Sequence, residues 1–482
     1  MHATPFLVLP ISCFLYLCLV IVALPLFVLD INVVFMAEHP FQAFDNELIK
    51  NIYSYFSPEA GVCIDSRSVV EGAVFFGIPG QRIDGGKFAL EALNAGARLA
   101  VIAQDCRHEM ESPQIIRVAN PLLLLQALAA YHRSQLSMPV VAITGSNGKT
   151  TTRSLIQAAL AARYIVGGTF GNYNNELGLP LSLLNAPTDA EVLVLEMGAS
   201  HPGDIALLCA IAHPTHGLIT NVGEAHLEGF GGIEGVAKAK GELFDYLHAT
   251  GGTGFVNADD PHVQAQAERV HLGCSASPYS RAMYQAEVQV APSGRLAVSF
   301  SWGEKRHALQ LNLIGEYNVQ NIIAAMHVAL YFNVDIPKAI AALENYKPVG
   351  NRSNLLEGRG NQIVADCYNA NPSSMRVAIQ NFLRLAKDEP KLFILGAMNE
   401  LGEESEAAHE GILAMLQEVE NARMMYVGEA WNAGRYPGFW FLTTEHARAF
   451  LVNEIPSNTW ILIKGSRSYE LETLLDVLTG DE

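Results

Sequence analysis

Residues 140–153 read Val-Val-Ala-Ile-Thr-Gly-Ser-Asn-Gly-Lys-Thr-Thr-Thr-Arg. The apolar, β-branched run Val140 to Thr144 predicts a buried parallel strand, and beyond Gly145 to Gly148 residues 154–162 have helical spacing. Strand, glycine loop and helix in this order make an anion cradle. The glycines let backbone N–H groups turn toward phosphate oxygens, and the helix N-terminus adds its partial positive charge. Lys149 can then reach the terminal phosphates and Thr150 can ligate magnesium, so Thr144, Gly145, Ser146, Asn147, Gly148, Lys149, Thr150 and Thr151 form a candidate nucleoside triphosphate site. The spacing Gly-x-x-Gly-Lys-Thr is two residues shorter than the usual pattern, because Ile143 stands at the place of the first glycine.

The remainder of the chain sets bounds on this reading. A length of 482 residues suits roughly three domains. Hydrophobic residues at 50% and charged residues at 17% indicate a folded protein, and a net charge of −18 argues against a nonspecific nucleic-acid surface. Seven cysteines without a Cys-x-x-Cys pair suit reduced thiols in a cytoplasmic protein. Residues 6–29 carry no charge, long enough for a membrane helix, yet no Lys or Arg precedes Lys50 and Pro10 and Pro25 interrupt the run. Residues 1–35 therefore read either as an extension ahead of a start at Met36 or as an anchor.

Three α/β units are expected: residues 36–138, a central 139–347 and 348–482. In the first, strands and helices fall near residues 62–65, 73–77, 88–95 and 99–103. Asp65-Ser66-Arg67 and the loop Gly80-Gln81-Arg82 suit a nucleotide-like head group and suit solvated turns equally. In the second, strand 192–195 ends in Glu196, where an acid beside a phosphate loop can hold magnesium, and strand 217–221 leads to His226 at the same edge. The amide-rich run Gly171 to Gly178, with Asn174 and Asn175, can be a capped turn or a ligand loop. Lys238 and Lys240 point to different helix faces, so one can turn inward. The region 284–313 reads as a β-rich insertion before a helix at 322–331. In the third unit, strand 363–365 ends at Asp366 and strand 460–463 at Lys464-Gly465-Ser466-Arg467, a basic edge of the kind where parallel sheets bind ligands.

The short phosphate loop followed in order by Glu196, His226, Lys240 and Asn321 resembles the ATP-dependent Mur ligases of peptidoglycan synthesis and their relatives, the folylpolyglutamate synthases. The stretches 172–178, 226–231, 237–242 and 368–375 carry the resemblance further, and it spans residue 62 to the C-terminus. It implies a three-domain Mur ligase architecture around a central P-loop parallel-sheet ATPase domain. It also implies ATP and Mg2+ as cofactors, and UDP-N-acetylmuramoyl-tripeptide and D-alanyl-D-alanine as substrates joined through an acyl phosphate. By resemblance, Thr150 and Glu196 serve the metal on ATP, His226 a second metal, and Lys240 becomes a carbamate. Asn321 matches the adenine contact, Asp366 the ribose contact and Arg352 the arginine facing the γ-phosphate. Ser66, Arg67 and Arg82 would hold the UDP, and Asn174, Asn175, Lys464 and Arg467 would contact substrate. A monomer in the cytoplasm is expected.

The resemblance has departures: Ala397 stands where an aspartate is usual, Gly86 where histidine is frequent, and Asn351 separates Gly350 from Arg352. Two rivals are weaker. A sister ligase adding the third peptide residue carries an Asp-Asn-Pro-Arg signature that is missing here. A nonenzymatic ATP-binding scaffold would not need Glu196, His226 and Lys240 together.

Overall fold

The computed structural model describes residues 44–107, 112–225, 227–291, 294–348, 350–431 and 437–480. The extension 1–35 and His226 lie outside the described residues. Among the described residues no helix is long and apolar enough to cross a membrane.

The strand Val140–Thr144 is fully buried, and its alternating side chains supply two different cores. Val140 and Ala142 enter one cluster, Val141 and Ile143 the other. This follows from the period of two along a strand whose sheet is covered on both faces. The sheet is six-stranded and parallel, in the order Ala276–Tyr279, Thr253–Asn257, His216–Ile219, Val140–Thr144, Val192–Glu196, Val166–Gly168. The chain leaves Val140–Thr144 toward one edge and later returns to its other side, which makes this strand the switch point where such sheets bind ligands.

On the Val140/Ala142 face sits the N-terminal unit. Its four parallel strands run Val62–Cys63, Val74–Gly77, Leu99–Ala103, Ile115–Val118. Val74 and Phe76 join the core shared with the central sheet, whereas Phe75 packs with Ala89 and Ala92 on the opposite side. The helix Pro121–Ser134 connects the two units, with proline in its first turn and Asn120 Oδ1 accepting from the N–H groups of Leu122 (3.0 Å) and Leu123 (3.1 Å). On the Val141/Ile143 face pack the helix Asn318–Tyr331 and an antiparallel sheet of Glu287–Val290, Arg295–Trp302 and Lys305–Ile314. The last unit is a six-stranded sheet in the order Asn354–Gly358, Asn361–Ala365, Trp460–Lys464, Lys391–Gly396, Ala422–Val427, Phe439–Phe441, with only the first pair antiparallel.

Several elements differ in extent from their sequence reading. The phosphate-loop helix spans Lys149–Ala161, beginning five residues before the helical spacing becomes visible. Its first residues are polar because they face the site, so the apolar period cannot mark them. Likewise the helix Asn318–Tyr331 begins ahead of residue 322. The strand His216–Ile219 stops short of Thr220 and Asn221, which turn toward the phosphate loop. The edge strand Ile115–Val118, largely half-exposed, has no alternation that identifies it in the sequence.

Candidate active site

The phosphate loop is fixed by its glycines. Gly145 has φ +142° and an added Cβ would stand 2.0 Å from Thr220 Oγ1. Gly148, at φ +77°, caps the helix Lys149–Ala161 in the left-handed region and leaves no room against Asn321 Oδ1, 2.8 Å from its ideal Cβ. Between them Ser146 Oγ donates to the carbonyl of Gly223 (3.0 Å) and accepts from its N–H (2.9 Å). Lys149 folds back over the loop, its Nζ donating to the carbonyls of Gly145 (2.7 Å) and Ser146 (3.2 Å). The residue as a whole is half-buried. Burial lowers its pKa, Glu196 opposes that shift and Arg352 adds to it.

Behind the loop lies a carboxylate. Glu196 ends its strand 2% exposed, with Oε1 accepting from Thr150 Oγ1 (3.1 Å) and Asn174 Nδ2 (2.8 Å). Its Oε2 has no hydrogen-bond donor, and the nearest cation is Arg153 Nη1 at 3.7 Å. Arg153 was not legible as a site residue. Buried on the phosphate-loop helix, it donates from Nη1 to the carbonyls of Thr169 and Gly171, both at 3.0 Å, and so holds the loop that carries Asn174. An arginine three residues past a P-loop threonine looks like a solvated helix residue, and only the fold shows it turned inward.

Lys240 is 1% exposed, with Nζ 3.4 Å from the Ala199 carbonyl and 5.2 Å from the centre of the Phe230 ring. Burial, with Lys149 nearby, brings its pKa down to about 7, against the opposing pull of Asp204 and Glu242. Lys238, on the other face, is exposed.

The third unit closes the site. One cavity of about 760 Å³ is lined by Ser146 to Thr151, Asn174, Asn175, Glu196 and Asn321 from the central unit and by Arg352, Asp366, Tyr368 and Lys464 from the last. Arg352 is half-buried with its guanidinium 3.5 Å from the Tyr368 ring centre. Asp366 accepts from Lys464 Nζ (2.7 Å) and from the N–H of Ser353 (3.2 Å), and Lys464 also donates to the Asn369 carbonyl (3.1 Å). Asn321 lines the cavity while its Oδ1 accepts from Thr152 Oγ1 (3.0 Å) and its Nδ2 donates to Asn318 Oδ1 (2.8 Å).

Other expected residues stand outside this cavity. Thr144 is buried with an unpartnered hydroxyl, and neither it nor Gly145 lines the cavity. Arg467 is ion-paired with Glu472 and lies 5.6 Å from the Tyr368 ring centre. In the N-terminal unit, Ser66 Oγ donates to Glu91 (2.9 Å), Arg67 pairs with Asp65 (2.6 Å) and Arg82 is exposed. Asn175, which does line the cavity, also caps a turn, accepting from the N–H of Gly178 at 2.9 Å.

Comparison with known proteins assigns this architecture to a class. The family models for the Mur ligase family catalytic domain, the Mur ligase middle domain and the Mur ligase glutamate ligase domain match residues 60–133, 143–329 and 351–467 in turn. The chain belongs to the Mur ligase family. Within that family it is 33% identical over 371 residues to the UDP-N-acetylmuramoyl-tripeptide–D-alanyl-D-alanine ligase of Bacillus subtilis, a match covering 77% of this chain and 80% of that one. Solved MurF structures superpose on it: that of Acinetobacter baumannii at a TM-score of 0.76 and 30% identity (87% of this chain, 93% of that one). The Thermotoga maritima enzyme in complex with ADP gives 0.75 at 30% identity, covering 88% and 98%.

Proposed function

We propose that this chain joins D-alanyl-D-alanine to UDP-N-acetylmuramoyl-tripeptide, driven by ATP. The observation that carries the reading is a single cavity in which Lys149, Thr150 and Glu196 of one unit face Arg352 and Asp366 of another. That arrangement suits phosphoryl transfer, whose catalysis is positioning and charge stabilisation. The names of the relatives supply the substrates, and the chain is an ATP-dependent ligase.

The γ-phosphoryl group passes to an oxygen of the tripeptide's terminal carboxylate, giving an acyl phosphate and ADP. The amine of D-alanyl-D-alanine attacks the acyl carbon, and the tetrahedral adduct loses phosphate and a proton to leave the new amide. Lys149, released from the loop carbonyls, neutralises the transferred group, and Arg352 does so from the opposite wall. Lys464 holds Asp366 for the ribose, and Asn321 meets the adenine. Ser66, Arg67 and Arg82 serve the UDP from residues 36–138, while residues 139–347 carry the ATP chemistry and 348–482 the closing wall.

Mg2+ fits the donor set. A buried carboxylate oxygen without a donor, Glu196 Oε2, and the Thr150 hydroxyl on its partner oxygen are hard ligands of the kind magnesium takes singly or in pairs. When bound there it would offset charge on the ATP phosphates. His226 would serve a second metal. Lys240 reacts as a neutral amine with carbon dioxide, forming an N–C bond and releasing one proton, and the resulting carboxylate assists that site. Water-soluble substrates suit an enzyme of the cytoplasm, and a monomer suits a cavity whose lining residues all come from one chain.

Phosphate release should require UDP-N-acetylmuramoyl-tripeptide and D-alanyl-D-alanine together with ATP. Turnover of ATP that needs neither would sink the ligase reading.

A further inference from the structure

The phosphate loop and the last unit grip each other through one side chain. Asn147 Nδ2 donates to Ser373 Oγ (2.9 Å), and Asn147 Oδ1 accepts from Asn371 Nδ2 (2.9 Å), across 226 and 224 residues of sequence. Ser373 Oγ in turn donates to Asn371 Oδ1 (3.0 Å), closing a ring of three side chains. Asn371 is itself rigid. It caps the helix Pro372–Ala386, accepting from the N–H of Ser374 (2.8 Å), while Ser374 Oγ accepts from the Asn371 N–H (3.0 Å).

On its other side Asn147 is tied by backbone. Its N–H donates to Asn221 Oδ1 (3.0 Å), and its carbonyl accepts from Thr220 Oγ1 (2.7 Å) and Asn221 Nδ2 (3.0 Å). The same helix turn reaches the neighbouring loop. Arg376 pairs with Glu224, and Gly223 runs so close that an added Cβ would lie 3.1 Å from Ser373 Oγ. We propose that Ser373 is a positioning residue for the ligation: by holding Asn147 it sets the phosphate loop when the last unit is seated.

A loop gripped from both sides gives up its freedom before the transferring phosphoryl group needs it, which is how preorganised donors lower a barrier. One grip comes from the unit that also carries Arg352. Loop and arginine are therefore set together, and the loop is incompletely held whenever the arginine is away. Ser373 lines the cavity, but its role in this scheme is exerted through Asn147. Its loss should fall on kcat and spare the affinity for ATP.

The inference rests on the ligase reading, and its test separates the two. Steady-state ligation with ATP, UDP-N-acetylmuramoyl-tripeptide and D-alanyl-D-alanine is measured for the wild type, Ser373→Ala, Ser373→Thr, Asn147→Ala and the Ser373→Ala/Asn147→Ala pair, with melting temperatures alongside. Ser373→Ala should lower kcat about tenfold, the scale of one neutral hydrogen bond, with KM for ATP within about twofold and an unchanged melting temperature. Ser373→Thr, which keeps the hydroxyl, should retain most of the rate. The double variant should be no slower than Asn147→Ala alone, because one interaction is removed in both. Undiminished kcat in Ser373→Ala, a loss confined to KM, a threonine variant as slow as alanine, or additive losses would each overturn the proposal. A wild type inactive in this assay would remove the ligase reading and the proposal with it.

Discussion

Lys240 shows how a residue type acquires its chemistry from burial. Its sequence context offered two lysines two apart, and only the fold shows Lys238 in solvent and Lys240 enclosed at 1% exposure. With its pKa drawn down to about 7, mainly by burial, the side chain is a mixture of amine and ammonium at neutral pH. The sign follows directly. Below about 7 the nitrogen is protonated and cannot add carbon dioxide, so initial rates should fall as pH drops through that value, and added bicarbonate should oppose the fall. Lys240→Ala should lose most activity and regain part of it with formate, and Lys240→Arg should fail equally; an active arginine variant would show that positive charge alone suffices. Arg352, stacked on Tyr368, makes a second residue-scale prediction. Arg352→Ala should lower kcat by about 10²-fold or more with little change in ATP affinity, as for loss of one transition-state donor. Unchanged turnover would refute its role.

At the scale of elements, the strand and glycine loop were legible because composition and backbone demand coincide there. The strand Val140–Thr144 is read from its β-branched run, and Gly145 and Gly148 occupy conformations that other residues resist. Gly145→Ala should therefore displace Thr220, which holds the Asn147 carbonyl, and weaken ATP binding about tenfold or more, the scale of 1–3 kcal/mol of forced backbone strain. Calorimetric titration measures this, and wild-type affinity would contradict it. Less was legible where an element's meaning depends on a distant partner. Asn371-Pro372 is a recognisable helix start, but nothing local says that the cap meets the phosphate loop. Arg153 is similar, since its polar partners are backbone carbonyls that any sequence supplies.

Across the whole molecule, the main sheets of the three units, parallel but for one antiparallel edge pair, follow largely from apolar strand runs, whereas their relative placement does not. The N-terminal unit shares a core with the central sheet through Val74, Phe76 and the helix Pro121–Ser134. The last unit meets the central one across a polar cavity of about 760 Å³ and through ion pairs such as Arg384 with Glu316 and Arg376 with Glu224. A contact made largely by polar and charged side chains suits a unit that moves to admit substrate and closes to exclude water. Ser66, Arg67 and Arg82 stand apart from that cavity, and with the UDP held there as proposed the tripeptide would extend from the N-terminal unit to bring its carboxylate to Lys149. In the proposed reaction this carboxylate takes the phosphoryl group before the amide forms. Tripeptide labelled with ¹⁸O in the terminal carboxylate tests it most directly, by mass spectrometry of the phosphate released during ligation. The acyl-phosphate route predicts one labelled oxygen transferred to each phosphate, and unlabelled phosphate accompanying full amide formation would contradict it.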